Sequence, residues 1–178
     1  MTKFYIFPEC YVDTTVVSRL LNSKVNHQFG CFQVSSKMEM TCKDQFAIGI
    51  IDHDKVTPKY LEQFDEWGKS RNITLMKHRQ RCHYLIVIDK AMETFLLDCA
   101  KEANLSMKDY NLPEEIAELT KFTKNKLKTQ NDPNILKLIN DLKAKSPEMK
   151  LLKALLVYLD KEMYNATEKG IKSLFTVG

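Results

Sequence analysis

Glycine is scarce: the 178 residues hold five. None stands in the G-x-G-x-x-G or Walker spacing that lets backbone N–H groups wrap a phosphate, so a classical nucleotide-binding loop is excluded. The five cysteines are scattered at Cys10, Cys31, Cys42, Cys82 and Cys99 with no C-x-x-C pair. That spacing argues against a zinc knuckle, a redox motif or a disulfide framework, and fits reduced thiols. No stretch reaches the ~18 consecutive apolar residues of a membrane-spanning helix. The opening Met-Thr-Lys-Phe-Tyr-Ile-Phe-Pro lacks the apolar core of a signal peptide, so a cytoplasmic protein with no membrane partner is expected. Repeats and low-complexity linkers are missing too.

What is present is an ordinary globular composition, 44% hydrophobic and 28% charged, with a net charge of +4 and a mean hydropathy of −0.34. The charge is compatible with a polyanionic partner and too mild to establish one. One stretch stands out: Phe46-Ala-Ile-Gly-Ile-Ile-Asp-His-Asp-Lys55. An Ile-rich run that ends abruptly in polar residues reads as a buried strand of a parallel sheet. Residues two apart on a strand share a side, so Asp52 and Asp54 are expected to face one spot past its carboxyl end. Open α/β sheets bind their ligands at that edge. Two carboxylates converging there repel unless a proton or a cation stands between them.

The rest of the chain supplies further acids in the same relation to strands. Lys3–Phe7 reads as a first strand stopped by Pro8, which has no N–H for the ladder, and Glu9 follows. Val16, Val17, Leu20 and Leu21 then recur at helical spacing behind Asp13 or Thr14 as cap. Phe29–Val34 has the composition of a strand. Thr57 and Pro58 look like a helix start, with Tyr60, Leu61, Phe64 and Trp67 along one face of a helix from Lys59 to about Ser70. Ile73–Met76 is a short strand, and Tyr84–Ile88 a buried one ended by Asp89. A helix from Ala91 to Ala103 places Glu93 in its first turn. Between these lies Lys77-His-Arg-Gln-Arg-Cys-His83, the most basic stretch, whose Lys77, Arg79 and Arg81 are candidate phosphate contacts. Lys55 and Lys90, each beside an acidic motif, are candidates of the same kind.

Past Asn104 strand signals vanish. Three helices are expected, from Pro113 to about Lys128, Pro133 to about Ala144 and Pro147 to about Tyr164, with Asn111, Asp132 and Ser146 as caps. The expected organisation is an α/β domain over residues 1–105 and a helical C-terminal extension over 106–178 packed on it.

Glu9 with Asp13, then Asp52-x-Asp54, then Glu93, each behind a strand, resembles the Toprim domain of topoisomerases, bacterial primases and overcoming-lysogenization-defect-type nucleases. The run Asp89-Lys-Ala-Met-Glu93-Thr-Phe-Leu-Leu97 is similar to a segment of small stand-alone Toprim proteins linked to restriction and phage defence. The resemblance covers roughly residues 1–105. It implies a Rossmannoid, mostly parallel sheet flanked by helices, with Asp52, Asp54 and Glu93 holding Mg²⁺ (or Mn²⁺) and Glu9 acting as ligand or general acid/base. Asp13 would be a secondary acid. It further implies phosphodiester hydrolysis on DNA or RNA, with an ATPase as a candidate partner protein. Independently of it, the apolar face of Leu151, Leu152, Leu155, Leu156 and Leu159 in the last helix would suit packing on the sheet or a homodimer. One departure is Cys10, where the family usually has Gly. Its Cβ opposes a close backbone approach and keeps open a catalytically degenerate, partner-binding copy. A receiver-like phospho-acceptor module is the other alternative. It fits less well, because receivers place their acidic pair after the first strand.

Overall fold

The computed structural model describes residues 2–53, 58–124 and 126–176. In chain order the elements are Thr2–Lys3 (β1), Ile6–Pro8 (β2), Tyr11–Leu21 (α1), Lys24–Val25 (β3) and Cys31–Ser36 (α2), which runs into a π turn over Lys37–Thr41. Then come Ala47–Asp52 (β4), Phe64–Lys69 (β5), Ile73–His78 (β6), His83–Ile88 (β7) and Met92–Glu102 (α3). The C-terminal part contains Ile116–Thr123 (α4), Lys126–Asn131 (α5), Pro133–Lys145 (α6), Pro147–Glu162 (α7) and Glu168–Phe175 (α8).

The Ile-rich run is a strand, and its neighbours explain why it is apolar throughout. The main sheet has the order β2-β4-β7-β6-β5, so β4 lies between two parallel partners, β2 and β7. Its side chains alternate between two covered faces. Ile48 and Ile50 join Val16, Leu96, Leu138 and Leu155 in the core under the helices on one side. Ala47 and Ile51 join Val34, Met38 and Tyr60 on the other. Each fully buried Ile is worth roughly 1.5–3 kcal/mol. Gly49 faces the second side, where a Cβ would stand 2.7 Å from Met38 Sδ and 2.9 Å from Val34 Cγ1. Here glycine is required by a close approach, since the π turn sits directly on the strand.

The α/β class is as expected, but the sheet is mixed: β6 runs antiparallel to both of its neighbours, β7 and β5. The cause is the segment expected as a helix over 59–70. It forms one 3₁₀ turn, Lys59–Gln63, and then enters strand β5. A bulge between Glu66 and Gly68 inserts Trp67 as an extra residue. The insertion breaks the two-residue alternation and mimics a helical three-residue spacing. Phe64 packs in one core and Trp67 against the other, so the apparent apolar stripe is split between opposite faces of the sheet.

Phe29–Val34 is likewise no strand. From Cys31 the chain is helical, and Cys31, Val34 and Met38 are buried at helical spacing while Phe29 and Phe32 are exposed. In the C-terminal part, Pro133 and Pro147 open α6 and α7 as expected. The Asp132 carboxylate accepts from the N–H groups of Asn134 (2.9 Å) and Ile135 (3.1 Å), and Ser146 caps α7 through the Met149 N–H. The first of the three expected helices differs. Asn111 adopts a left-handed conformation (φ 51°) that closes the short turn Met107–Tyr110, and α4 begins only at Ile116. Helix α8 was not anticipated; Gly68 leaves the space that its Phe175 ring fills against β5. Among the described residues, no helix is long and apolar enough to cross a membrane.

Candidate acidic site

Parallel pairing of β2, β4 and β7 puts their carboxyl ends on one edge, and four of the expected acids lie there. Glu9 directly follows β2. Its N–H extends the ladder to Ile50 O (3.0 Å), and its Oε2 accepts the Asp52 N–H (3.0 Å). Asp52 is the last residue of β4, and its Oδ1 accepts the Met92 N–H (3.0 Å) at the start of α3. Asp13, in the first turn of α1, accepts the Cys10 N–H at Oδ2 (3.0 Å). It is completely buried, and its Oδ1 has no hydrogen-bond partner among the described residues. Glu93, in the first turn of α3, is buried and accepts from the Thr123 hydroxyl. Asp54 and Lys55 lie outside the described residues.

Electrostatics bind these groups together. Burial pushes the Asp52 carboxyl up to about 9, and the charges of Asp13, Glu9 and Glu93 add to the rise. Burial likewise raises Asp13 to about 7, opposed by its bond from Cys10 and reinforced by Glu9 and Glu93. The shift has the sign expected when like charges share a poorly hydrated site, where the neutral acid is favoured. As it stands, no group of three or more His, Cys, Asp or Glu side chains among the described residues is arranged to hold a metal ion. The donors are nevertheless all oxygen, which is the chemistry of Mg²⁺ rather than of zinc.

Cys10 sits inside this cluster. Its backbone is extended (φ −137°, ψ −178°), a conformation any residue adopts, so the Cβ creates no backbone strain. Burial together with the neighbouring Asp13 and Asp52 pushes its thiol well above the ordinary range. A neutral thiol therefore faces the acids.

The expected cations divide. Lys90 follows β7 at the acidic edge, in a left-handed conformation (φ 64°). Nearby, His53 stands 3.6 Å from Asp89. The stretch from Lys77 to His83 joins β6 to the start of β7, and because Ala47 pairs with His83, it lies at the opposite, amino end of the parallel strands. Its cations are engaged there. Lys77 donates to the carbonyls of His78 (2.8 Å) and Arg81, and burial lowers its pKa. Arg79 pairs with Asp65 at 3.0 Å, and Arg81 donates to Glu39 O (3.0 Å) while lying over the Tyr60 ring. The structure thus does not bring Lys77, Arg79 or Arg81 to the acids.

Two features had no sequence signal. Thr123 reaches the site from the helical C-terminal part, thirty positions beyond its partner Glu93. Below β4, a buried Tyr60–His83–Cys42 chain is joined by hydrogen bonds: the Tyr60 hydroxyl lies 2.5 Å from His83 Nδ1, and His83 Nε2 lies 2.9 Å from Cys42 O. Both histidines of this region, His78 and His83, are held neutral, chiefly by burial.

Comparison with known proteins gives no match: no family model, no curated protein and no solved structure aligns with the chain.

Proposed function

We propose that the chain is a Toprim-like, metal-dependent phosphodiesterase acting on nucleic acid at this acidic edge. The observation that supports the reading is the mutual destabilisation of the carboxylates: Asp13 and Asp52 are both raised by burial and by the charges of Glu9 and Glu93. Acids gathered at the ligand-binding edge of an α/β sheet, at the expense of their own ionisation, call for a compensating cation. In this reading Asp52 and Glu93, with Asp54, would hold Mg²⁺, and Glu9 would act as a further ligand or as general acid/base. When bound, Mg²⁺ orients a phosphodiester and lowers the pKa of an attacking water.

In the resting protein the Asp52 N–H holds Glu9, and the Met92 N–H holds Asp52. These two bonds tie the Glu9 carboxylate to the end of β4 and the Asp52 carboxylate to the start of α3. Because Asp13 and Asp52 favour their protonated forms, cation uptake must expel protons, and affinity rises with pH. Lys90, exposed at the same edge, is the cation we assign to a substrate phosphate.

The test is hydrolysis of labelled single- and double-stranded DNA and RNA with Mn²⁺ or Mg²⁺, comparing the protein with Asp52→Asn and Glu9→Gln. Loss of activity by about a hundredfold or more in both variants is expected, the scale of removing a group that stabilises transition-state charge. Unchanged activity in either variant, or no cleavage of any of the four substrates, would overturn the assignment.

A further inference from the structure

Beside the acids lies an aromatic surface that the proposed chemistry does not use. Tyr11, the first residue of α1, stacks on His27 with ring centroids 4.4 Å apart and planes inclined by 12°. Phe29 stands edge-on to both, 4.6 Å from His27 and 5.9 Å from Tyr11, and is 65% exposed. Phe32, three residues on, is exposed as well. Exposed aromatics gathered about one point, rather than scattered singly, are the informative kind.

The surface is built rigidly. Residues 26–30 run alongside β2: the Asn26 N–H donates to Ile6 O, the Gln28 N–H to Pro8 O and the Gly30 N–H to Glu9 O, at 2.9, 2.9 and 3.0 Å. The last of these ties Phe29's neighbour to the backbone of the first acid. Gly30 takes φ 96°, which a side chain rarely adopts, and turns the chain into α2 straight after Phe29. Thr14 Oγ1 lies 2.8 Å from His27 Nδ1, which fixes that ring against α1. Gln33 Oε1 accepts the Phe29 N–H at 3.1 Å.

His27 and Thr14 also line a cavity of about 410 Å³, together with Ser18, Arg19, Lys24 and Gln130. Arg19 and Lys24 make no ion pair among the described residues. Two cations beside a preformed aromatic surface complement a chain of bases and phosphates. Base stacking on side-chain rings tolerates any sequence but needs unpaired bases, and neighbouring cations follow the backbone.

We propose that Tyr11, His27 and Phe29 form a stacking platform for the unpaired bases of a single-stranded nucleic acid, with Arg19 and Lys24 taking its phosphates. The proposal rests on the metal-dependent reading of the acidic edge, to which it adds the strandedness of the substrate. A strand stacked on Phe29 is led past Glu9 toward the acids. A duplex keeps its bases paired and cannot use the platform.

The test is fluorescence anisotropy with labelled single strands of about twelve nucleotides, the scale of one single-strand site, and a duplex of the same sequence. Binding is measured in EDTA and again in Mg²⁺. Single strands are expected to bind more tightly than the duplex. Phe29→Ala should weaken single-strand binding about tenfold, the scale of one lost base stack, and Phe29→Trp should restore it. Arg19→Ala should reduce the salt dependence by about one counterion. Phe29→Ala with unchanged affinity, or with equal loss for the duplex, would overturn the proposal. So would a Phe29 effect seen only in binding to anionic lipid vesicles. The two readings fail separately. Phe29-dependent binding without cleavage sinks the metal chemistry alone, while cleavage with binding indifferent to Phe29 sinks the platform alone.

Discussion

Replacing Asp52 by Asn should stabilise the metal-free protein, and the gain should depend on pH in a defined direction. Asn keeps the oxygen that accepts the Met92 N–H and removes the ionisation that burial and three neighbouring acids oppose. A carboxyl whose folded pKa is raised leaves the protein at full stability below its unfolded value. That stability is lost as pH rises through the folded value. For Asp52 the window opens at the ordinary 3.8 and extends to about 9. At 1.36 kcal/mol per pH unit, a rise from 3.8 to about 9 opposes the ionisation of Asp52 by on the order of 4 kcal/mol or more by pH 8. In a protein of this length each kcal/mol moves Tm by about 2–4 °C, so Asp52→Asn should melt roughly 10 °C higher at pH 8 in EDTA. Near pH 4 the difference should nearly vanish. Thermal melts followed by circular dichroism at both pH values decide it. A variant less stable than the parent at pH 8, or an equal difference at both pH values, would refute the electrostatic account of the site.

Two further predictions test the packing that holds the edge in place. Gly49→Ala puts a Cβ within 3.0 Å of Met38, Val34 and Leu85 side-chain atoms. It should cost about 1–3 kcal/mol by urea denaturation, and a neutral result would mean that the π turn does not press on β4. Tyr60→Phe removes the hydroxyl that lies 2.5 Å from the buried His83 Nδ1. It should cost about 1–3 kcal/mol, and unchanged stability would show that water replaces the hydroxyl.

How much of this was legible in the sequence follows from which physical signals are local. The buried strand ending at Asp52 and the acids behind β2 and β7 could be read because an apolar run bounded by polar residues is a local pattern. Asp13 reads from the sequence as a helix cap, whereas α1 begins at Tyr11 behind Cys10 and takes Asp13 into its first turn. Its complete burial was not legible, since that depends on the neighbours α1 acquires. Strand β5 reads as a helix in the sequence because the bulge at Trp67 turns a two-residue period into an apparent three-residue one. At Cys31–Ser36 the aromatic content of Phe29 and Phe32 suggested a strand, whereas burial follows Cys31, Val34 and Met38. The basic turn was legible as basic, but its position at the far end of the sheet depends on the antiparallel direction of β6. Thr123 was invisible, because nothing near it in sequence signals a partner thirty residues away.

The most direct measurement is calorimetric titration of Mn²⁺ and Mg²⁺ into the protein and into Asp52→Asn, at pH 6 and pH 8. The account predicts binding by the parent that is tighter at pH 8 and releases protons, because Asp52 must ionise to hold the cation. It predicts weak or no binding by the variant. Equal binding by both proteins, or no binding by the parent at millimolar metal, would contradict the claim that the acidic edge is a metal site.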